Sequence, residues 1–243
     1  MFITLFNSGI YNPLYNGLVF LIGVVPMADV GIAVIILTIF VKLLLFPLAQ
    51  KVSLTQVVIK KMQPELEKLK EKFKEDKPEQ TRKILALYKE HNINPMFGFL
   101  VILIQLPIIL GLYWVFYKGG LPGIDTSLLY SFVNEPSSVE MLFIGLVDMG
   151  SKSVVLAALA GITQFINMQI VMPTKPKPKN ADKPSLKDDL ARSMHMQMKY
   201  LMPIIITVVA YTISSAVALY WVTSNVFSIG QELLVRRNIK NKE

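Results

Sequence analysis

This chain of 243 residues is 53% hydrophobic and 17% charged, it contains no cysteine, and its formal net charge is +8. Soluble domains carry about 25% charged residues, so this composition favours a membrane protein, and the lack of cysteine excludes disulfides and Cys-ligated zinc. The positive charge is confined to a few blocks, and this distribution argues against DNA as a partner.

Long uncharged apolar runs predict an all-α membrane protein with five transmembrane helices, because a helix needs about 20 residues to cross a hydrocarbon core of about 30 Å. In chain order, the predicted segments are an exterior N-terminal segment with an interfacial helix (1–29), a first transmembrane helix (30–48), a cytoplasmic helical hairpin (49–94), a second transmembrane helix (95–117), an exterior loop (118–152), a third transmembrane helix (153–172), a cytoplasmic Pro/Lys-rich loop (173–199), a fourth transmembrane helix (200–213), a fifth (214–235) and a cytoplasmic tail (236–243). The last two spans share one apolar stretch, which we divide at the polar residues 211–215 because a single helix would overshoot the bilayer.

The N-terminal segment contains an apolar stretch, residues 13–26, that is short for a span. Leu14, Leu18 and Ile22 fall on one helical face, and Asn16 falls roughly opposite. This pattern predicts an interfacial helix on the exterior side. A cleaved signal peptide is the alternative interpretation, but the segment has neither a positive n-region nor a clear cleavage site.

The first cytoplasmic segment has the pattern of a helical hairpin. Met62 and Leu66 begin an apolar stripe with helical spacing. Pro64 is expected to kink or restart the first helix, and Pro78 to lie in the first turn of the second. The hairpin is interpreted either as a solvated connector or as a docking element at the anionic membrane surface.

Lysine and arginine are distributed unevenly over the predicted loops. Residues 47–94 contain 11 of them, residues 173–199 contain seven, and the tail contains four, which together are 22 of the 25 in the chain. The opposite side has only Lys118 and Lys152. The positive-inside rule therefore predicts an exterior N-terminus and a cytoplasmic C-terminus.

One full charge lies inside a predicted span. Lys42 lies in the inner half of the first span, where a lysine costs on the order of 2.5–3.5 kcal/mol if it is central. A snorkelling side chain that reaches the headgroups would explain Lys42 by itself. No aspartate or glutamate lies in a predicted span core, so a lysine that stays in the span would need a water-accessible cavity.

The predicted spans also carry polar or amphipathic side chains, which are candidate groove residues. They are Thr38, Gln105, Gln164 and Asn167, followed by Trp221, Ser224 and Asn225 in the fifth span. Ser228 extends that spacing to i, i+3, i+4 and i+7 but is not included in the predicted set. Helix–helix hydrogen bonds explain any one of them. Together with Lys42, they favour a hydrophilic groove that receives a substrate.

The sequence contains no motif of covalent or nucleotide chemistry. Gly-x-x-x-x-Gly-Lys-[Ser/Thr], His-Glu-x-x-His and Gly-x-Ser-x-Gly are absent, so we expect neither an enzyme, nor a cofactor, nor a metal site. A small transporter or channel with Lys42 as the substrate counter-charge is the alternative function, although no internal repeat supports it. A scaffold subunit of a larger translocase is a third interpretation.

Three stretches resemble the YidC family of membrane insertases, which includes the Oxa and Alb proteins of organelles. They are LTIFVK at 37–42 with FPL at 46–48; ALYK at 86–89, INP at 93–95 and IQLP at 104–107; and LYW at 219–221 with SN at 224–225. The resemblance covers about residues 12–237 and corresponds to a short form without a large exterior domain. It implies five core spans around a groove that is open to the cytoplasm and to lipid and closed on the outside.

The resemblance also implies a role and partners. In bacterial members a groove arginine receives the polar flank of a substrate, and Lys42 matches that position. Lysine keeps the charge but lacks the fork of arginine. The implied partners are nascent membrane proteins and the lipid bilayer of the bacterial inner membrane, with the Sec translocase and the ribosome as further candidates. The basic tail, residues 236–240, is short, which argues against strong ribosome docking through it.

Overall fold

The computed structural model describes residues 2–94, 97–117, 120–171 and 196–240. The helices are α1 (Phe2–Phe6), α2 (Asn12–Val24), α3 (Val30–Lys61), α4 (Gln63–Lys72), α5 (Lys77–Glu90), α6 (Phe97–Tyr117), α7 (Val154–Val171), α8 (Met202–Thr212) and α9 (Ser215–Lys240). Helical turns at Asn7–Tyr11 and Gln197–Leu201 have the wider π geometry, and those at Pro26–Ala28 and Thr126–Leu128 are 3-10 turns. Strands β1 (Leu142–Phe143) and β2 (Val147–Asp148) form a short antiparallel hairpin. Most of the predicted Pro/Lys-rich loop, 173–199, lies outside the described residues.

The predicted all-α architecture is confirmed, since the described chain is mostly helical. Among the described residues, α3 and α7 are long and apolar enough to cross a membrane. Helix α6 is 21 residues long and contains no charged residue, whereas α8 has only 11 residues. The number of five spans therefore stays a prediction.

Helix α3 is longer than the predicted first span. It continues through Pro47 and ends at Lys61. Proline removes one backbone donor, yet the segment that follows it is free of glycine and proline and sustains the helix. Pro64 then lies in the first turn of α4 and Pro78 in the first turn of α5, as the sequence predicts.

A single main core joins α2, α3, α7 and α9 with the loop between α6 and α7. The loop reaches the N-terminus of α9, where Ser215 and Ala216 donate their backbone N–H groups to the carbonyls of Ser151 and Met149 at 2.8 and 3.1 Å. Helix N-termini leave such donors without partners, so the loop stabilises the start of α9.

Helix α2 packs against this loop with the face that carries Asn16, opposite its predicted apolar face. Asn16 is buried; its side chain donates to the Leu128 carbonyl at 2.9 Å and accepts from the Tyr130 N–H at 2.6 Å. The neighbouring Tyr15 hydroxyl accepts from the Asp125 N–H at 2.8 Å. The polar side of α2 therefore binds the loop backbone, while Phe20 and Val24 remain exposed.

Candidate functional site: a cleft beside Lys42

Lys42 lies half-buried on α3 and faces α9. Its ammonium nitrogen donates a hydrogen bond to the Ser228 hydroxyl at 3.1 Å. Within the described parts of the chain, no ion pair joins Lys42 to a carboxylate. Since an ammonium carries three N–H donors, Lys42 retains donors for water or for a bound acceptor.

A cleft of about 440 Å³, part of it open to solvent, lies beside this lysine. Its lining residues come from α3 (Lys42, Leu45, Leu48 and Ala49), from α6 (Gln105) and from α9 (Ser228 and Gln231). Helix α3 therefore supplies the cation and an apolar wall, while α6 and α9 supply neutral polar groups. The cleft combines an apolar surface with a cation, which suits a ligand that is itself part apolar and part acidic.

Gln105 connects two walls of the cleft. Its side-chain amide donates to the hydroxyl of Tyr220, a buried residue of α9. Because a buried tyrosine hydroxyl requires a partner, this bond fixes where α6 lies relative to α9. Gln105 thus both lines the cleft and holds its shape.

Asn167 and Asn225 form a second polar group, between α7 and α9. The Asn167 amide donates to the Asn225 side-chain oxygen at 3.3 Å, and the Asn225 amide donates to the Thr163 hydroxyl at 3.3 Å. Both asparagines are buried, and neither lines the cleft. Their geometry is that of an interhelical hydrogen-bond network that stabilises packing.

The other predicted groove residues lie away from the cleft. The Thr38 hydroxyl is buried and donates to the Val34 carbonyl of its own helix at 2.6 Å. Trp221 and Ser224 are buried on α9, and Gln164 is half-buried on α7. Of the eight residues in the predicted set, the structure therefore brings Lys42 and Gln105 to one cleft, and it pairs Asn167 with Asn225 elsewhere.

The structure adds residues that the predicted set omitted. Ser228 continues the polar spacing of the fifth predicted span, so its position on that face was readable from the sequence. Gln231 also lines the cleft, and it follows Ser228 by three residues, so it continues the same helical spacing and was equally readable from the sequence.

Glu232 follows the lining residue Gln231 on α9 and belongs to a buried polar cluster next to that end of the cleft. Its carboxylate accepts from the Ser53 hydroxyl of α3 at 2.6 Å and from the Arg236 guanidinium at 2.8 Å. The same guanidinium donates to the Ile170 carbonyl at the end of α7. We call Ser53, Glu232, Arg236 and Ile170 the three-helix cluster, because it joins α3, α7 and α9.

The sequence is similar to known proteins over nearly its whole length. The family model of the 60Kd inner membrane protein matches residues 21–242, which include every element that lines the cleft. Three bacterial relatives are each named membrane protein insertase YidC. The relative from Fusobacterium nucleatum subsp. nucleatum is 32% identical over 232 residues, which are 95% of this chain and 98% of the relative.

The other two relatives show the same extent of similarity. The protein from Clostridium tetani is 31% identical over 213 residues, which are 87% of this chain and 84% of the relative. The protein from Oceanobacillus iheyensis is 30% identical over 218 residues, which are 88% of this chain and 77% of the relative. The similarity thus extends over most of each relative as well as over most of this chain.

Proposed function

This chain belongs to the 60Kd inner membrane protein family, and on that premise we infer that it is a membrane protein insertase. Its substrates are then membrane proteins that enter the bilayer, and its environment is the membrane itself. The task of such a protein is physical: it lowers the barrier to moving a polar segment through lipid and forms no covalent bond. The family is not an enzyme family.

We propose that the cleft beside Lys42 is the hydrophilic groove of this insertase. The half-buried ammonium, bonded to Ser228 and retaining free donors, is the observation that carries the proposal. Two charges 4 Å apart attract by about 4 kcal/mol at an effective dielectric constant of 20, against about 1 kcal/mol in bulk water. A carboxylate on the flank of a substrate would therefore be held here more strongly than at an exposed lysine.

The apolar part of the substrate would leave the groove sideways into lipid. Support comes from Leu43 and Leu44, which follow Lys42 on α3 and are exposed. An apolar segment beside them can exchange cleft contacts for lipid contacts without crossing a polar barrier. Hydrophobic partitioning, at about 0.8 kcal/mol for each buried CH₂ group, drives this step, so no nucleotide is needed.

We further propose that α6, α8 and α9 cross the membrane with α3 and α7, with the N-terminus outside and the C-terminus in the cytoplasm. Support comes from the concentration of lysine and arginine on one side of the chain. The helical turn Gln197–Leu201 leads directly into α8 and lengthens that short helix. Local thinning of the bilayer would accommodate the remaining mismatch.

The hairpin of α4 and α5 is then the cytoplasmic receptor for an arriving substrate. Met62 and Leu66 form a small buried cluster there with Ile93, separate from the main core. Leu85 of α5 remains exposed on the hairpin and offers apolar surface to a nascent segment. The Sec translocase and the ribosome stay candidate partners at this surface.

Reconstitution in liposomes tests the groove. The purified protein is compared with K42A, K42R and K51A, using two single-span substrates that differ only in one acidic residue on the translocated flank. Lys51 is exposed on α3 and does not line the cleft, so K51A is the matched control. We expect K42A to lose about tenfold in insertion of the acidic substrate, equivalent to about 1.4 kcal/mol, and K42R and K51A to retain it.

The neutral substrate makes the comparison specific to charge. If Lys42 captures the flank, K42A abolishes the advantage of the acidic substrate over the neutral one. Equal insertion of both substrates by K42A and the unsubstituted protein would contradict the groove mechanism. The family assignment would stand in that case, because it does not depend on Lys42.

A further inference from the structure

The turn between β1 and β2 exposes large apolar side chains. Leu146 is 83% exposed and Ile144 is 61% exposed. Met27, in the turn before α3, is 75% exposed. We call these three residues the apolar tip. Residues 141–147 include no charged or polar side chain, so no side chain of this turn forms hydrogen bonds with water.

The apolar tip is tied to the first residues of α3. The buried Asp29 carboxylate caps α3 by accepting from the Ile32 N–H at 3.0 Å, and its other oxygen accepts from the Ile144 N–H at 2.8 Å. A Cβ atom added to Gly31 would overlap the Phe143 ring, so this ring packs directly on the α3 backbone. The turn therefore lies at the Asp29 end of a helix that is long and apolar enough to cross a membrane.

Backbone donors of this turn have partners within the protein. Leu142 donates its N–H to the Glu140 carboxylate at 2.8 Å, and Gly145 donates to the Leu142 carbonyl at 3.2 Å. Leu146 donates to the Phe143 carbonyl at 3.0 Å, and Ile144 is held by Asp29. Since an unpaired amide is costly to remove from water, a turn with paired amides can enter a lipid interface cheaply.

Ile144 has a backbone conformation that disfavours its own side chain. Its φ angle is +52°, in the left-handed region where glycine or asparagine is the usual residue and a β-branched side chain is an outlier. An apolar phase would not change this backbone conformation, but it would cover the exposed Ile144 side chain that the turn presents.

We propose that the apolar tip inserts into the lipid interface at the Asp29 end of α3 and anchors the loop between α6 and α7 to the membrane surface. The exposed apolar face of α3, which includes Ile36 and Phe40, continues from this end and is the lipid-facing surface of the same helix. The lipid that surrounds this face of α3 would therefore also cover the apolar tip. The inference rests on α3 crossing the membrane and is independent of the groove mechanism.

Site-directed fluorescence tests the depth of the tip. The chain has no cysteine, so single-cysteine variants carry one environment-sensitive NBD label each. L146C is compared in proteoliposomes with S137C, an exposed polar position of the same loop, and with F40C as the reference for lipid contact. Quenching is measured with nitroxide lipids, whose labels lie near the headgroups, and with aqueous iodide.

We expect the L146C label to be quenched by shallow nitroxide lipids and protected from iodide, because interfacial apolar groups lie about 5–10 Å deep. The S137C label should show the reverse. Equal iodide quenching of L146C and S137C would overturn the proposal. Iodide protection at L146C without quenching by nitroxide lipid would also overturn it, because it would mean that a protein surface covers the tip.

Discussion

The Ser53 hydroxyl of α3 donates a hydrogen bond of 2.6 Å to the Glu232 carboxylate of α9, and both side chains are buried. Arg236 neutralises the same carboxylate and reaches the end of α7. The Glu232–Arg236 pair thus joins α9 to α3 and α7, beside the end of the cleft where Gln231 lies. The separation of α3 from α9 at that end is set by this three-helix cluster as well as by apolar packing.

Loss of the Ser53 hydroxyl should destabilise the protein. S53A leaves a buried carboxylate oxygen with one donor fewer, and an unsatisfied buried group costs about 1–3 kcal/mol. We expect a lower midpoint of thermal unfolding in detergent. T55A is the matched control, because the Thr55 hydroxyl bonds only the Lys51 carbonyl of its own helix. Equal midpoints for S53A and T55A would show that the cluster contributes nothing.

The charge of Lys42, and not its hydrogen bond, should control substrate preference. K42Q keeps an N–H donor, on a side chain that is one bond shorter, but removes the ammonium. We expect K42Q to lose the advantage for an acidic flank as fully as K42A does, by about tenfold or about 1.4 kcal/mol. The measurement is insertion into liposomes with the acidic and neutral substrate pair. Retention of the preference by K42Q would assign it to hydrogen bonding.

Asn167 and Asn225 should be coupled energetically. Interhelical hydrogen bonds in membrane proteins average about 0.6 kcal/mol and reach at most about 1.7 kcal/mol in double-mutant cycles. We expect N167A and N225A to destabilise the protein less than additively when combined, by an amount in this range. The free energies come from reversible unfolding in mixed micelles. Strict additivity would mean that the 3.3 Å contact contributes no coupling.

A side chain at Gly31 should disrupt the attachment of the β-hairpin to α3. A Cβ there would overlap the Phe143 ring, whereas a Cβ on Gly230 would meet nothing within 4 Å. We expect G31A to lower the thermal midpoint and G230A to leave it unchanged or raise it, since alanine is favoured over glycine in a helix by about 1 kcal/mol.

The second substitution F143A makes the Gly31 test specific. If the ring is the obstacle, G31A should cost less in an F143A background than in the unsubstituted protein. A G31A protein as stable as G230A would contradict the packing of Phe143 on α3.

The helical membrane architecture followed from properties that are local in the sequence. The uncharged runs that became α3 and α7 are contiguous, and the breaks at Pro64 and Pro78 act on the residues beside them. Apolar runs and proline breaks act through neighbouring residues and the surrounding solvent, so the sequence pattern alone predicts them. The helix of the predicted first span continues through Pro47 to Lys61, and where its membrane-spanning part ends stays a prediction.

The composition of the cleft depended on properties that no local pattern contains. Lys42 bonds a hydroxyl 186 positions away, and Asn16, which the helical period places opposite the apolar face of α2, binds a carbonyl 112 positions away. Which polar residues meet is decided by the rotation and axial register of packed helices, and these depend on side-chain packing between them. The sequence by itself determined that this protein is helical, belongs in a membrane and carries a cation, Lys42, within its first long apolar helix. Only the tertiary structure decided that Lys42 meets Ser228 and Gln105 at one cleft, while Asn167 and Asn225 bond each other between α7 and α9.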